Sequence, residues 1–263
     1  MKKILFILLF GMLASCEEVI QVELENADPR LVVEGSITEG QTAQVKLSLT
    51  SSFFDEIDPV FVENAIVEIT DVQGQITEEL IYSGQGMYLG QSVLGVQSND
   101  YRLRIEYDGV TYESTSKLYP PAEIESVNFN YIPGGLTVGT GLGALIQIKS
   151  NHSEAYYCIE SERNDTSTGS VLVIDLQEPV ENGMLGLFVN PQFLVEEGDS
   201  VFLNVKTIDK AQYDYLVGLN DLAGNNNQGG GATPYNPLSN FEPEVLGSFY
   251  AYSQESKDTI AIQ

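Results

Sequence analysis

The stretch that most narrows the possible folds is Tyr101-Arg102-Leu103-Arg104-Ile105-Glu106-Tyr107, followed by Asp108-Gly109 and then Val110 to Ser116. Apolar and polar residues alternate without a break. Tyr101, Leu103, Ile105 and Tyr107 therefore share one face of a strand, and Arg102, Arg104 and Glu106 share the other. Asp-Gly is a two-residue turn whose positive φ angles match the twist of paired strands. The stretch is expected to be an antiparallel hairpin, so the chain around it must supply more sheet.

It does so on both sides. Leu31 to Gly35, Val45 to Leu49, Ala65 to Asp71, Ile76 to Tyr82 and Met87 to Leu89 read as strands, with Gln73-Gly74 and Gly84-Gln85-Gly86 as turns. Ser51 to Pro59, with Phe53 and Phe54, reads as a loop. Roughly seven short strands in about ninety residues predict a β-sandwich over 30–119. Tyr119-Pro120-Pro121 marks a boundary, because adjacent prolines resist helix and central strand. A second β-rich unit over 120–263 then opens with Ile124 to Tyr131 and turns at Gly134-Gly135. It continues through Leu145 to Ile148, Tyr156 to Glu160, Val171 to Leu176 and Val201 to Val205.

One helix is expected in that unit. Asp209 to Leu222 carries Tyr215, Leu216, Leu219 and Leu222 along one stripe, with Thr207 or Asp209 to cap its start and Gly224 to cap its end. Asn225 to Gly231 reads as a flexible loop, and Leu246 to Tyr252 as a last aromatic strand. The fold class is therefore mostly β, in two units, with one amphipathic helix.

The N-terminus sets the compartment. Lys2 and Lys3 precede the apolar run Ile4 to Phe10, which is too short to span a bilayer and has the form of an export signal. Leu13-Ala14-Ser15-Cys16 closes it as a lipoprotein cleavage site would. Residues 1–15 are read as a signal peptide, Cys16 as the acylated (palmitate-bearing) N-terminus, and 16–29 as a tether. The expected location is the outer membrane, with a lipid anchor. Glu17 and Glu18 resemble a surface-export tag and read equally well as an acidic linker.

Charge and composition remove several functions. Of the 263 residues, 38 are acidic and 12 are Lys or Arg, for a formal net charge of −26. Such a chain repels nucleic acid and anionic headgroups, so membrane contact is expected through lipid alone. His152 is the only histidine, which argues against a zinc centre. It sits in a polar turn, and no G-x-S-x-G elbow accompanies it, so no catalytic residue is assigned. Cys158, inside an apolar strand, reads as core. Glu196-Glu197-Gly198-Asp199 could supply oxygens to calcium but matches no calcium-loop spacing, and a solvated turn is preferred. No metal or cofactor is assigned. Tryptophan, the usual sugar-stacking residue, is absent, and strand tyrosines such as Tyr101 and Tyr107 read as sheet residues. Ser200 and Thr259, in Asp-Ser-Val and Asp-Thr-Ile, resemble bacterial O-glycosylation sites.

Four stretches together resemble a Bacteroidota outer-membrane lipoprotein family, domain of unknown function 4249. They are Leu13 to Cys16; Leu31-Val32-Val33-Glu34-Gly35; Ala65 to Asp71 with Gly86-Met87-Tyr88 and Tyr101-Arg102-Leu103; and Asn236-Pro237-Leu238-Ser239-Asn240 followed by Leu246 to Ala251. Where the family usually has glycines before the last strand, this chain has Phe241-Glu242-Pro243-Glu244-Val245. The resemblance implies an immunoglobulin-like or transthyretin-like first domain. It also implies an accessory role beside a TonB-dependent β-barrel receptor, without an established activity. A non-enzymatic binding module is thus the leading expectation, an adhesin or envelope structural protein the alternative, and a carboxylate hydrolase the third. Partner contact is expected at Gly224, Asn225, Asn226, Asn227, Gln228, Gly229, Gly230 and Gly231 through Ala232, and in Thr233 to Pro243, notably Tyr235 and Asn236.

Overall fold

The computed structural model describes residues 28–51, 60–134, 139–149, 154, 156–175, 184–188, 194–228 and 235–262. Cys16, His152 and Phe53-Phe54 lie outside them. The first strands are β1 (Leu31–Thr38), β2 (Thr42–Leu49), β3 (Val60–Phe61), β4 (Ile66–Asp71), β5 (Ile76–Glu79), β6 (Ile81–Gly84), β7 (Met87–Leu94), β8 (Asp100–Tyr107) and β9 (Val110–Lys117). Next come β10 (Glu123–Ile132), β11 (Gly141–Lys149), β12 (Tyr156–Arg163), β13 (Thr166–Asp175), β14 (Met184–Phe188), β15 (Leu194–Val195) and β16 (Ser200–Ile208). Helix α1 (Lys210–Gln228), β17 (Phe241–Glu242) and β18 (Leu246–Ile260) complete the chain.

The architecture turns on β18. Its first half lies parallel to β1, from Val32 opposite Leu246 to Thr38 opposite Tyr252. Its second half lies antiparallel to β16, from Thr207 opposite Ser253 to Ser200 opposite Ile260. One sheet therefore runs β13-β12-β16-β18-β1-β2-β7-β6, with β3 beside β2. Two smaller sheets pack on it. The sheet β17-β9-β8-β4-β5 closes the first sandwich; β10-β11-β14, with β15 beside β11, closes the second. Residues from both sides of Tyr119 share the long sheet.

Alternation explains the cores. Val33, Ile37, Val45 and Leu47 on one layer meet Val67, Ile69, Leu103 and Ile105 on the other, all fully buried. The second sandwich buries Ala144, Ile146 and Ile148 against Ile159, Val201, Leu203 and Val205. Each buried valine, leucine or isoleucine among them contributes about 1.5–3 kcal/mol. The hairpin of β8 and β9 forms as its sequence predicts, with Tyr107 opposite Val110 and positive φ at Asp108 (50°) and Gly109 (74°).

Three expectations need correction. Ile76 to Tyr82 is not one strand. Leu80 and Ile81 are adjacent apolar residues and cannot share a face, so the chain bends there. Leu80 is buried, Ile81 stays 58% exposed, and β5 and β6 join different sheets. The last strand does not stop at Tyr252. It runs on through Ser253 to Ile260, where Glu255, Lys257 and Asp258 line an edge with no second strand partner among the described residues; charge on such an edge guards against pairing with other chains. The helix does not end at Gly224, nor does a loop begin at Asn225. It continues to Gln228, the low helix propensity of Asn and Gly being overridden by context.

Candidate binding surface

Helix α1 lies over the outer face of the long sheet. The Asp209 carboxylate caps it by accepting from Gln212 N at 2.9 Å. Its other oxygen accepts from Ser116 Oγ at 2.5 Å, and Ser116 Oγ accepts from Ala251 N at 2.8 Å. Burial raises the Asp209 carboxyl above its ordinary value, against the pull of those donors. Thr207, the other capping candidate, instead remains in β16 and accepts from Ala122 N. The start of α1, β9 and β18 are thus tied together where the two sandwiches meet.

The buried side of α1 is not the expected stripe. Tyr213 and Leu216 pack on Tyr156, Cys158, Ile208, Tyr250 and Tyr252. Tyr215 and Leu219 instead overhang β1 and, with Glu34, Ser36, Gln212, Ser248 and Tyr250, line an open cleft of about 300 Å³. Ser248 Oγ donates to Gln212 Oε1 at 2.9 Å. Burial, then the Glu34 carboxylate, pushes the Tyr215 phenol above its ordinary value.

Residues 235–240 form a strap across the helix. Gly218 makes this possible: a Cβ there would sit 3.1 Å from Pro237 Cβ. Tyr235 donates to Asp221 at 3.3 Å. Beside the cleft, helix and strap leave three large apolar side chains in solvent: Leu219 (39% exposed), Tyr235 (49%) and Leu238 (73%). Sequence reasoning named Tyr235 and Asn236 and included Leu238 within Thr233 to Pro243, but missed Leu219.

Beneath α1, Lys206 Nζ donates to Glu160 Oε1 at 2.6 Å and lies 5.2 Å from the centre of the Tyr252 ring. Burial alone would lower the Lys206 ammonium, but the bond to Glu160 outweighs it and holds the group raised. Burial pushes the Cys158 thiol and the Tyr250 phenol each up to about 12, so both stay protonated at neutral pH. Cys158 therefore behaves as a packed apolar residue.

The remaining sequence candidates fall elsewhere. Gly224 to Gln228 form the last turn of α1, and Gly229 to Gly231 lie outside the described residues. Asn236 is exposed on the strap. Ser200 and Thr259 lie on neighbouring strands at the far end of the second sandwich, Thr259 opposite Val201. In the Glu196–Asp199 turn, Asp199 accepts from Glu196 N and Asn164 Nδ2, each at 2.7 Å, and pairs with Arg163 Nε at 2.7 Å. Those contacts hold its carboxyl below the usual value and occupy the oxygens a cation would need. No group of three His, Cys, Asp or Glu side chains is placed to hold a metal among the described residues.

Leu13 to Cys16 lies outside the described residues, and the other three stretches behind the family resemblance meet one another. Gly35 packs on Leu103 and Phe249. Tyr88 donates to Val62 O and accepts from Ala65 N, pinning that loop; Tyr101 donates to Leu94 O and accepts from Val96 N. Asn240 bridges to Phe249. Their role is architectural.

The class is that of two β-sandwiches fused along one strand, with a helix and strap over the junction. Within it, the chain belongs to the family described as "Domain of unknown function (DUF4249)", which matches residues 17–258. No curated protein matches the chain. Among solved structures, a chain from a "Cytokine receptor complex" is similar at 10% identity with a TM-score of 0.27, covering 69% of this chain and 86% of that one.

Proposed function

We propose that this protein is a lipid-anchored outer-membrane binding module without catalytic activity, docking on a TonB-dependent β-barrel receptor. The observation that carries the reading is the exposed group Leu219, Tyr235 and Leu238, held beside the α1 cleft on a frame stiffened by β18. Exposed apolar side chains grouped on a rigid scaffold suit recognition of a protein partner. The Lys-Lys start, short apolar run and Leu-Ala-Ser-Cys of the N-terminus support lipid attachment at Cys16.

The test is capture of tagged protein from detergent-solubilised outer membrane, with Cys16→Ala as the control for anchoring. A stoichiometric barrel in the eluate supports the reading. Correctly acylated, membrane-bound protein that brings down no barrel removes the docking role and turns attention to adhesion.

A further inference from the structure

The molecule has two distinguishable ends. At the near end, the described chain begins: Arg30 N donates to Thr50 Oγ1, and the Arg30 guanidinium lies 3.9 Å from Glu244. Phe241 opposite Ser114 and Glu242 opposite Glu113 carry the following residues toward Val110. The β8–β9 turn and the start of β4, with Ile66 opposite Glu106, therefore lie at this end too. At the far end sit the Asn164-Asp165 turn of β12 and β13 and the Glu196–Asp199 turn, joined by Asn164 N donating to Ser200 O. The fifteen residues of β18 cover about 50 Å between them.

We propose that the near end faces the bilayer, resting on net-neutral headgroups through Ile66 and Val110, and that the second sandwich stands away from it. This rests on the lipid-anchor reading above. Residues 17–29 can span at most about 45 Å when extended and about 20 Å as a relaxed coil, shorter than the molecule. A relaxed tether therefore holds the near end within about 20 Å of the surface. That end exposes Val60 (47%), Ile66 (44%) and Val110 (40%), the last two sharing one shallow cleft with Asn64, Tyr107 and Thr111. Glu106 pairs with Arg104 and Glu244 with Arg30, while exposed Asp108 and the chain's net charge of −26 oppose anionic lipid and so select neutral headgroups. The α1 cleft and strap lie along the first half of β18, between that end and the junction.

The test uses the full acylated chain in phosphatidylcholine vesicles carrying a headgroup nitroxide. Thr111→Cys and Thr166→Cys, both exposed strand positions beside hairpin turns at opposite ends, are labelled with a fluorophore. Cys158 is buried and does not compete for label. The Thr111 label is expected to lose more than half its emission and the Thr166 label to be unchanged. In the triple variant Thr111→Cys, Ile66→Ser, Val110→Ser, quenching at Thr111 should fall at least twofold. Protein that floats with vesicles but quenches equally at both positions, or more at Thr166, overturns the orientation alone. Protein that does not float, and whose mass lacks acyl chains, overturns the anchor reading and the orientation with it.

Discussion

The side chain of Asn240 acts as a strand for Phe249: its Nδ2 donates to Phe249 O at 2.6 Å, and its Oδ1 accepts from Phe249 N at 3.0 Å. The first half of β18 has β1 on one edge only. On the other, Asn240 and the Ser116 hydroxyl satisfy backbone groups that would otherwise stay unpaired at the open side of the sandwich. Asn240→Ala should lower the unfolding free energy by about 1–3 kcal/mol. Asn240→Asp should lose as much, because a carboxylate can accept from the N–H but faces the carbonyl with like charge. Urea titration of both variants measures it.

Gly247 holds the same strand from the other side. With φ at 90°, it brings β18 so close to β1 that a Cβ would sit 1.9 Å from Val33 O. Gly247→Ala should cost more than about 4 kcal/mol and abolish soluble expression. Gly40→Ala, at φ 70° with open space around it, should cost only about 1–2 kcal/mol. Equal losses for the two would show that strain, not contact with Val33, is the cause.

Opposite Asn240, the second open side of the first sandwich is closed by Glu78. Its carboxylate accepts from Gln91 N, Ser92 N and Val93 N, the last at 2.7 Å. Burial would raise this carboxyl, but the three backbone donors outweigh it and hold it below the ordinary glutamate value. The folded state thus favours the ionised form. The stabilisation is complete above the unfolded pKa of about 4.3 and is lost as pH falls through the lower folded value. Glu78→Gln should be less stable than the parent at pH 7, and the gap should close toward pH 3. A gap that widens in acid would reverse the assignment.

Ser253 marks the point where β18 leaves β1 and takes up β16. Its hydroxyl is buried and has no hydrogen-bond partner among the described residues. Removing an unpaired buried hydroxyl also removes its desolvation cost. Ser253→Ala should raise the unfolding free energy by about 1 kcal/mol, read as a higher midpoint in urea.

For the docking surface, Leu238→Asp combined with Tyr235→Ser should reduce barrel capture at least tenfold. Neither side chain is part of a core, so Tm should shift by less than about 2 °C. Capture that survives the double change would place the contact elsewhere on the molecule.

The legible parts of this fold are those where one face is apolar and the other polar. The β8–β9 hairpin could be read residue by residue, because its alternation and Asp-Gly turn leave one register. Cys158 could be read as core from its Tyr-Tyr and Ile neighbours. The second half of β18 could not. Ser253-Gln254-Glu255-Ser256-Lys257-Asp258 carries no apolar period, since its free edge needs charge. Of the candidate surface, Tyr235 and Asn236 were within reach because polar, glycine-rich sequence flanks them. The exposed Leu219 was hidden by its helical spacing, which reads as a buried stripe until Gly218 and Pro237 show where the strap crosses.

Because β1 and β18 run parallel, and β18 continues past the junction into β16, tension between the two ends of the molecule acts along the strands. Their hydrogen bonds are then loaded in shear and must rupture together instead of unzipping one at a time. Among the described residues, β18 crosses the junction without a break in its pairing. A pull on the near end is passed along β18 to the far sandwich.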